Sequence, residues 1–189
     1  MYKGIAGSEG IGIGKVVIIE DHDITIETKH VPETDSEIAR LQEAIEKFVE
    51  ITNKMADKMD ETVGKKDADI LRGHIQMLQD PMIEEQISSL VVAEKITAEM
   101  AVDQVLEQTA EMFSQIPDEL LQQRATDFRD IKARMIKLLM GIEDVDISQV
   151  PAGTVLVAKD LTPSMTAGIK PENIEGILTE MGGKTSHSA

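Results

Sequence analysis

With 189 residues the chain can form one ordinary domain or two small ones around a real core. Hydrophobic residues at 41% and charged residues at 29% exclude a disordered chain, and the absence of cysteine excludes disulfides and thiolate metal sites. Thirty-five acids against 19 bases give a net charge of −16, which repels a nucleic-acid backbone and attracts a basic protein partner. No apolar run reaches the ~20 residues of a membrane span. The opening MYKGIAGSEG lacks the pattern of a secretory signal, so the expected location is the cytoplasm. Aromatics are limited to Tyr2, Phe48, Phe113 and Phe128, so Met, Leu, Ile and Ala must fill the core, which suits helix packing.

The first thirty residues open with GIAGSEGIGIG, five glycines in eleven positions. KVVIIE (15–20) follows and predicts a strand. ITIE (24–27) alternates and fits either a second short strand or an extended linker. Residues 31–145 read as helices. Thr34-Asp35-Ser36-Glu37 matches a capping box, and Ile38, Leu41, Ile45, Phe48, Met55 and Met59 then recur in threes and fours, with Thr52 interrupting the stripe. This predicts a helix of about 28 residues ended by Gly64. A second helix is expected over 67–79. Asp80 caps a third with Pro81 at its first position, Thr97 caps a fourth, and Pro117 opens a fifth closed by Gly141. These residues carry 25 acids and 13 bases, net −12, so most of the acidity lies here.

From 146 onward the α/β character returns. TVLVAK (154–159) predicts a strand, Thr162-Pro163 starts a short helix over 161–169, and 176–179 gives another strand. The strand blocks at the two ends are each too small to fold alone. The expected architecture is therefore multidomain α+β. Residues 1–30 and 146–189 form a small, discontinuous α/β domain, and 31–145 form an inserted domain of antiparallel helices joined by short turns.

The last ten residues, EMGGKTSHSA, carry the most chemistry. Gly182 and Gly183 let the backbone approach a ligand closely. Lys184, Thr185, Ser186 and Ser188 surround His187 with a cation and hydroxyls. If a helix starts here, its free amides favour an anion. His187 can then serve as base, ligand or nucleophile, and a nucleophilic His attacking a phosphoryl group becomes a phosphohistidine. The alternative is a glycine turn with an exposed His. A phosphate-loop reading fails because Leu178 stands where the first glycine is needed, and a dinucleotide fingerprint fails because Lys15 and Val17 occupy its third glycine position. His22, His30 and His74 form no zinc spacing. Ile70, His74 and Met77 share one helical face, either core or an exposed partner surface.

The chain resembles the N-terminal half of the enzyme I family, the phosphoenolpyruvate–protein phosphotransferases of the bacterial sugar phosphotransferase system. The likeness rests on GIAGSEGIGIGK (4–15), GHIQMLQDP (73–81), RATDFRDI (124–131), LVAKDLTPSMTA (156–167) and GGKTSHSA (182–189), which recur in family order. The resemblance implies a phosphohistidine swivelling domain, here incomplete, with an inserted helical domain that docks the histidine phosphocarrier protein. His187 would take the phosphoryl group from phosphoenolpyruvate at Nε2 and pass it to the carrier. Gly182, Gly183, Lys184, Thr185, Ser186 and Thr166 would support it. Carrier contacts would fall on Ile70, His74, Met77, Asp80, Leu121 and Arg124, with Ile70, His74, Met77, Leu121 and Arg124 forming an exposed patch. Pyruvate phosphate dikinase and phosphoenolpyruvate synthase, which share the swivelling domain, are weaker matches.

The family chain continues past GGKTSHSA into a barrel that binds phosphoenolpyruvate and Mg²⁺ and drives homodimerisation. The chain is therefore expected to be a truncated piece, monomeric, with no metal or cofactor of its own and unable to label itself from phosphoenolpyruvate. It would act as the relay or, in this piece, as a docking module only. Lys65-Lys66 stands where the family is often acidic, and Lys184 where Arg is more usual, which keeps the charge and loses the bidentate fork.

Overall fold

The computed structural model describes residues 4–19, 24–27, 29–142, 147 and 150–180. Two compact units divide the chain: Ile24–Asp144, and Met1–Asp23 together with Val145–Ala189. The division falls after residue 23 rather than 30. ITIE forms no strand; Ile24 and Ile26 pack against the helical core instead. The Val31 amide donates to the Lys95 carbonyl at 2.8 Å and His30 bridges to Ile96, so this lead-in is held along the helical unit.

Five helices build that unit: α1 (Asp35–Thr62), α2 (Lys65–Leu78), α3 (Pro81–Glu94), α4 (Ala98–Ser114) and α5 (Glu119–Met140). The α1 stripe is buried at Leu41, Ile45, Phe48 and Met59. Leu41, Ile45 and Phe48 meet Ile83, Ile87 and Val91 of α3, Val102 and Leu106 of α4, and Phe128, Ile131 and Met135 of α5 in one core. The α4–α5 interface is the most extensive and includes the stacked rings of Phe113 and Phe128, 5.5 Å between centroids. Thr52, the break in the stripe, is fully buried and accepts a hydrogen bond from the Arg134 guanidinium at 2.5 Å. That guanidinium lies 4.2 Å from the centroid of the Phe48 ring.

Several helix ends differ from expectation. Thr34 makes no side-chain cap. The Glu37 carboxylate turns away from its own helix and accepts the Ala98 amide at 2.9 Å, capping α4 across the unit. Thr97 therefore makes no cap bond of its own. Arg40 donates to Glu37 at 2.6 Å, to Glu99 at 3.2 Å and to the Leu139 carbonyl at 2.9 Å, which ties the start of α1 to α4 and to the end of α5. Burial pushes the Glu37 carboxyl up, but the Arg40 and Ala98 hydrogen bonds, with the charges of Arg40 and Lys29, outweigh it and hold the group below its ordinary 4.5. The second helix begins at Lys65, two residues before the expected start. Asp118, not Pro117, opens α5, accepting the Leu120 and Leu121 amides. Asp80 caps α3 through the Met82 amide at 2.8 Å, and Gly141 ends α5 in the left-handed conformation, as the residue types require.

The second unit holds a three-stranded sheet, β1 (Lys15–Ile19), β2 (Thr154–Ala158) and β3 (Ile174–Thr179), all parallel in the order β1-β2-β3. Val17 stands opposite Leu156, and Leu156 opposite Ile177. Ile19, Leu156 and Ala158 pack with Ile147, Leu161, Met165 and Ile169, whereas Val16, Ile18 and Leu178 are exposed. Before β1, the glycine run lies so close to the sheet that a Cβ on Gly12 would stand 1.8 Å from the Glu175 carbonyl oxygen. The expected helix over 161–169 shortens to α6 (Pro163–Thr166). The fold is thus helix-rich, a helical bundle with a small parallel sheet.

Candidate functional site

Of the residues singled out on α2 and at the start of α5, Met77 and Arg124 meet between the two helices. Met77 is half-buried, and its Sδ lies 3.9 Å from the Arg124 guanidinium. The same guanidinium passes over α2 at Gly73, where an added Cβ would stand in ordinary contact with it at 3.9 Å. Arg124 also reaches Asp127, one turn on, at 3.3 Å. Leu121 is 37% exposed, one turn before Arg124 on the same face of α5. Ile70 is half-buried and Asp80 is exposed as the α3 cap. Met77, Leu121 and Arg124 thus offer sulfur, apolar and cationic atoms that are exposed or half-buried on α2 and α5. Lys65 and Lys66 are exposed in the first turn of α2.

His74 departs from the expected surface. Its side chain is 0% exposed, so it makes no part of the exposed patch and offers no atom to a docked partner. Its Nε2 stands 3.4 Å from Asp127 Oδ1 and its Nδ1 3.8 Å from Asp130 Oδ2. Both carboxylates are buried. The two aspartates sit three apart on α5 and face one ring from successive turns. Sequence reasoning quoted the run RATDFRDI without giving Asp127 or Asp130 a role. The available signal was their position beside Phe128 and Ile131, where acids break the inward face of α5.

In the other unit, Thr162 caps α6 by accepting the Met165 amide at 3.4 Å, with Pro163 at the first helical position. Thr166 is half-buried and its hydroxyl donates to the Pro163 carbonyl at 2.9 Å. His187, with Gly182, Gly183, Lys184, Thr185 and Ser186, lies outside the described residues. Among the described residues no group of three or more His, Asp or Glu is placed to hold a metal ion, and no helix is long and apolar enough to cross a membrane.

Comparison with known proteins agrees across the chain. Residues 3–124 match the model of the PEP-utilising enzyme N-terminal family, and residues 150–189 match that of the PEP-utilising enzyme mobile domain. The phosphoenolpyruvate-protein phosphotransferase of Haemophilus influenzae is 36% identical over all of this chain and 33% of its own length. That of Bacillus subtilis is 34% identical over 99% of this chain and 33% of its own length. The chain therefore spans about a third of the length of these relatives. A solution NMR structure of Enzyme I superposes with a TM-score of 0.84 at 36% identity, over 100% of this chain and 77% of that one. The N-terminal domain of Enzyme 1 – Nitrogen shares the fold, with a TM-score of 0.68 at 21% identity. By the match over most of its length, the chain belongs to the PEP-utilising enzyme N-terminal family.

Proposed function

We propose that this chain is the phosphoryl-relay portion of a phosphoenolpyruvate–protein phosphotransferase. The observation that carries the reading is the likeness to Enzyme I over the whole chain, 36% identical with a TM-score of 0.84. In this reading the sheet unit is a phosphohistidine swivelling domain, and the helical unit is an antiparallel bundle inserted into it. His187 Nε2 attacks the phosphorus of phosphoenolpyruvate. The N–P bond forms as the bond from phosphorus to the enol oxygen breaks; the enolate leaves with its C–O bond intact and takes a proton at its methylene carbon to become pyruvate. The phosphoryl group then moves to a ring nitrogen of a histidine on a small carrier protein, regenerating His187. Lys184 and the hydroxyls of Thr185 and Ser186 offset the charge of the transferred group, and Thr166 supports the ring. Phosphoenolpyruvate binding, Mg²⁺ and homodimerisation belong to the remaining two thirds of the relatives' length, and the pathway is cytoplasmic.

The carrier docks on α2 and α5. Leu121, Met77 and Ile70 supply apolar contact, and Arg124 orients a carrier acid or carbonyl. The net −12 of residues 31–145 steers a basic carrier, so charge raises the association rate while the apolar anchors set the lifetime. Calorimetric titration with a histidine phosphocarrier protein tests this. Met77→Ala is expected to weaken binding by about 1–2 kcal/mol. Lys65→Glu is expected to speed association at low salt and to have little effect at high salt. Unchanged affinity in a folded Met77→Ala protein refutes the surface. Incubation with phosphorylated carrier is expected to add one acid-labile phosphate to the native chain and none to His187→Ala; equal labelling of both refutes His187 as acceptor.

A further inference from the structure

The guanidinium groups of the helical unit are not all engaged in the same way. Arg40 donates through Nη1 to Glu37 and through Nη2 to Glu99 and the Leu139 carbonyl. Arg72 reaches Asp69 through Nη1, and Asp57 and Asp60 through Nη2. Arg129 binds Glu107 through Nε and Nη2. Arg124 differs. Among the described residues it makes its hydrogen bonds through Nη1 alone, to Asp127 Oδ2 at 3.3 Å and to Met77 Sδ at 3.9 Å. Its side chain is 50% exposed, so Nη2 and Nε remain as donors on a surface residue.

Asp127 contrasts with its partner. Its side chain is only 5% exposed, one turn further along α5. A packed carboxylate has little freedom, whereas a free arginine has much rotamer entropy to lose when a ligand fixes it. A guanidinium already held at one nitrogen keeps its planar fork oriented before a partner arrives, which lowers the cost of binding. The pairing also shapes what can be bound. The carboxylate offsets the guanidinium charge, so Arg124 does little at a distance to repel a basic partner drawn by the net −12 of residues 31–145. At contact its remaining N–H groups are directed donors that suit an acceptor oxygen.

We propose that Asp127 is a positioning residue for carrier docking. By holding Arg124 Nη1 from within the helical unit, it keeps Nη2 and Nε presented to an acceptor oxygen of the carrier, which touches Arg124 and not Asp127. The contact between Asp127 and Arg124 stands on the structure; its effect on affinity rests on the docking reading.

The test begins with the ¹⁵N-labelled 189-residue chain. The Arg124 Nε–H order parameter is expected to exceed about 0.6 in the native chain and to fall in Asp127→Asn. A native value in the flexible range, or a high value that the substitution leaves unchanged, overturns the proposal; the first readout needs no variant to fold. Titration with a histidine phosphocarrier protein, followed by NMR shifts so that weak binding is still read, then compares Asp127→Asn with the native chain and Asp127→Asn/Arg124→Ala with Arg124→Ala. Asp127→Asn is expected to weaken binding by about fivefold in the native background and by less than about twofold when Arg124 is already alanine. The second background subtracts whatever else the substitution disturbs around Asp127. Equal weakening in both backgrounds, or none in either, overturns the proposal. If the native chain binds no carrier, the docking reading fails, and the order parameter alone decides whether Asp127 fixes Arg124.

Discussion

Glu37→Ala removes a carboxylate that serves two helices at once. Its oxygen accepts the Ala98 amide at 2.9 Å, and Ala98 is fully buried, so water cannot replace the lost acceptor. A helix cap is worth about 0.5–2 kcal/mol, and a buried amide left without a partner costs about 1–3 kcal/mol. The ion pair with Arg40 adds little, at most about 1 kcal/mol, because Arg40 is partly exposed and keeps Glu99 and the Leu139 carbonyl. These contributions overlap, so the expected loss is about 2–4 kcal/mol. Glu37→Gln keeps an oxygen for the amide and gives up only the charge, for an expected loss of about 1 kcal/mol. Urea unfolding followed by far-ultraviolet circular dichroism reports the helical unit, because the long helices lie there. A loss below about 0.5 kcal/mol for the alanine variant, or equal losses for both, would refute the cap from α1 to α4.

The same carboxylate ties stability to acid. Glu37 is held below its ordinary 4.5, and so is Glu107, where burial pushes up but Arg129 and Lys132 outweigh it. The unfolded chain binds these protons more readily, so their contribution is complete above about 4.5 and is lost as pH falls through the lowered folded values. The acid slope of the unfolding free energy should be shallower in Glu37→Gln than in the native chain. Thr52→Val preserves volume while removing the acceptor for the Arg134 guanidinium; urea midpoints should show a loss of about 1–3 kcal/mol, with Thr52→Ser restoring most of it. Gly12→Ala drives a Cβ into the Glu175 carbonyl, so it should cost the sheet unit about 1–3 kcal/mol and shift the amide resonances around Glu175 and Gly176, leaving those of α1–α5 in place.

What was legible in the sequence was local. The α1 stripe, the Asp80 and Thr162 caps and the Gly141 stop each depend on residues within one turn, and the expected elements form around them. Thr34 and Thr97 looked like caps by the same local reasoning. The cap at the second comes instead from Glu37, which takes the Ala98 amide from sixty-one positions away. Thr52 read as a flaw in the stripe because Arg134, which needs its hydroxyl, comes from another helix. Spacing placed His74 on a face with Ile70 and Met77 but carried no information about depth, and depth is what separates His74 from Met77. The GGKTSHSA motif stood out from glycines, hydroxyls and histidine alone, without help from any long-range contact.

The hydrogen bond from Arg40 to the Leu139 carbonyl bears on how the sheet assembles. β1 and β2 are hydrogen-bonded neighbours, yet Lys15 pairs with Thr154 across the whole helical stretch. In an unfolded chain, closing that loop is slow and entropically costly. Once α1 and α5 are joined at Arg40 and Leu139, the chain path that separates the strands runs only through residues 20–39 and 140–153. The effective loop shrinks by roughly two halvings, worth about 1 kcal/mol in closure entropy. The helices should therefore gain protection from amide exchange before the strands during refolding. A variant that frays Arg40 from Leu139 should slow sheet formation without touching a strand residue.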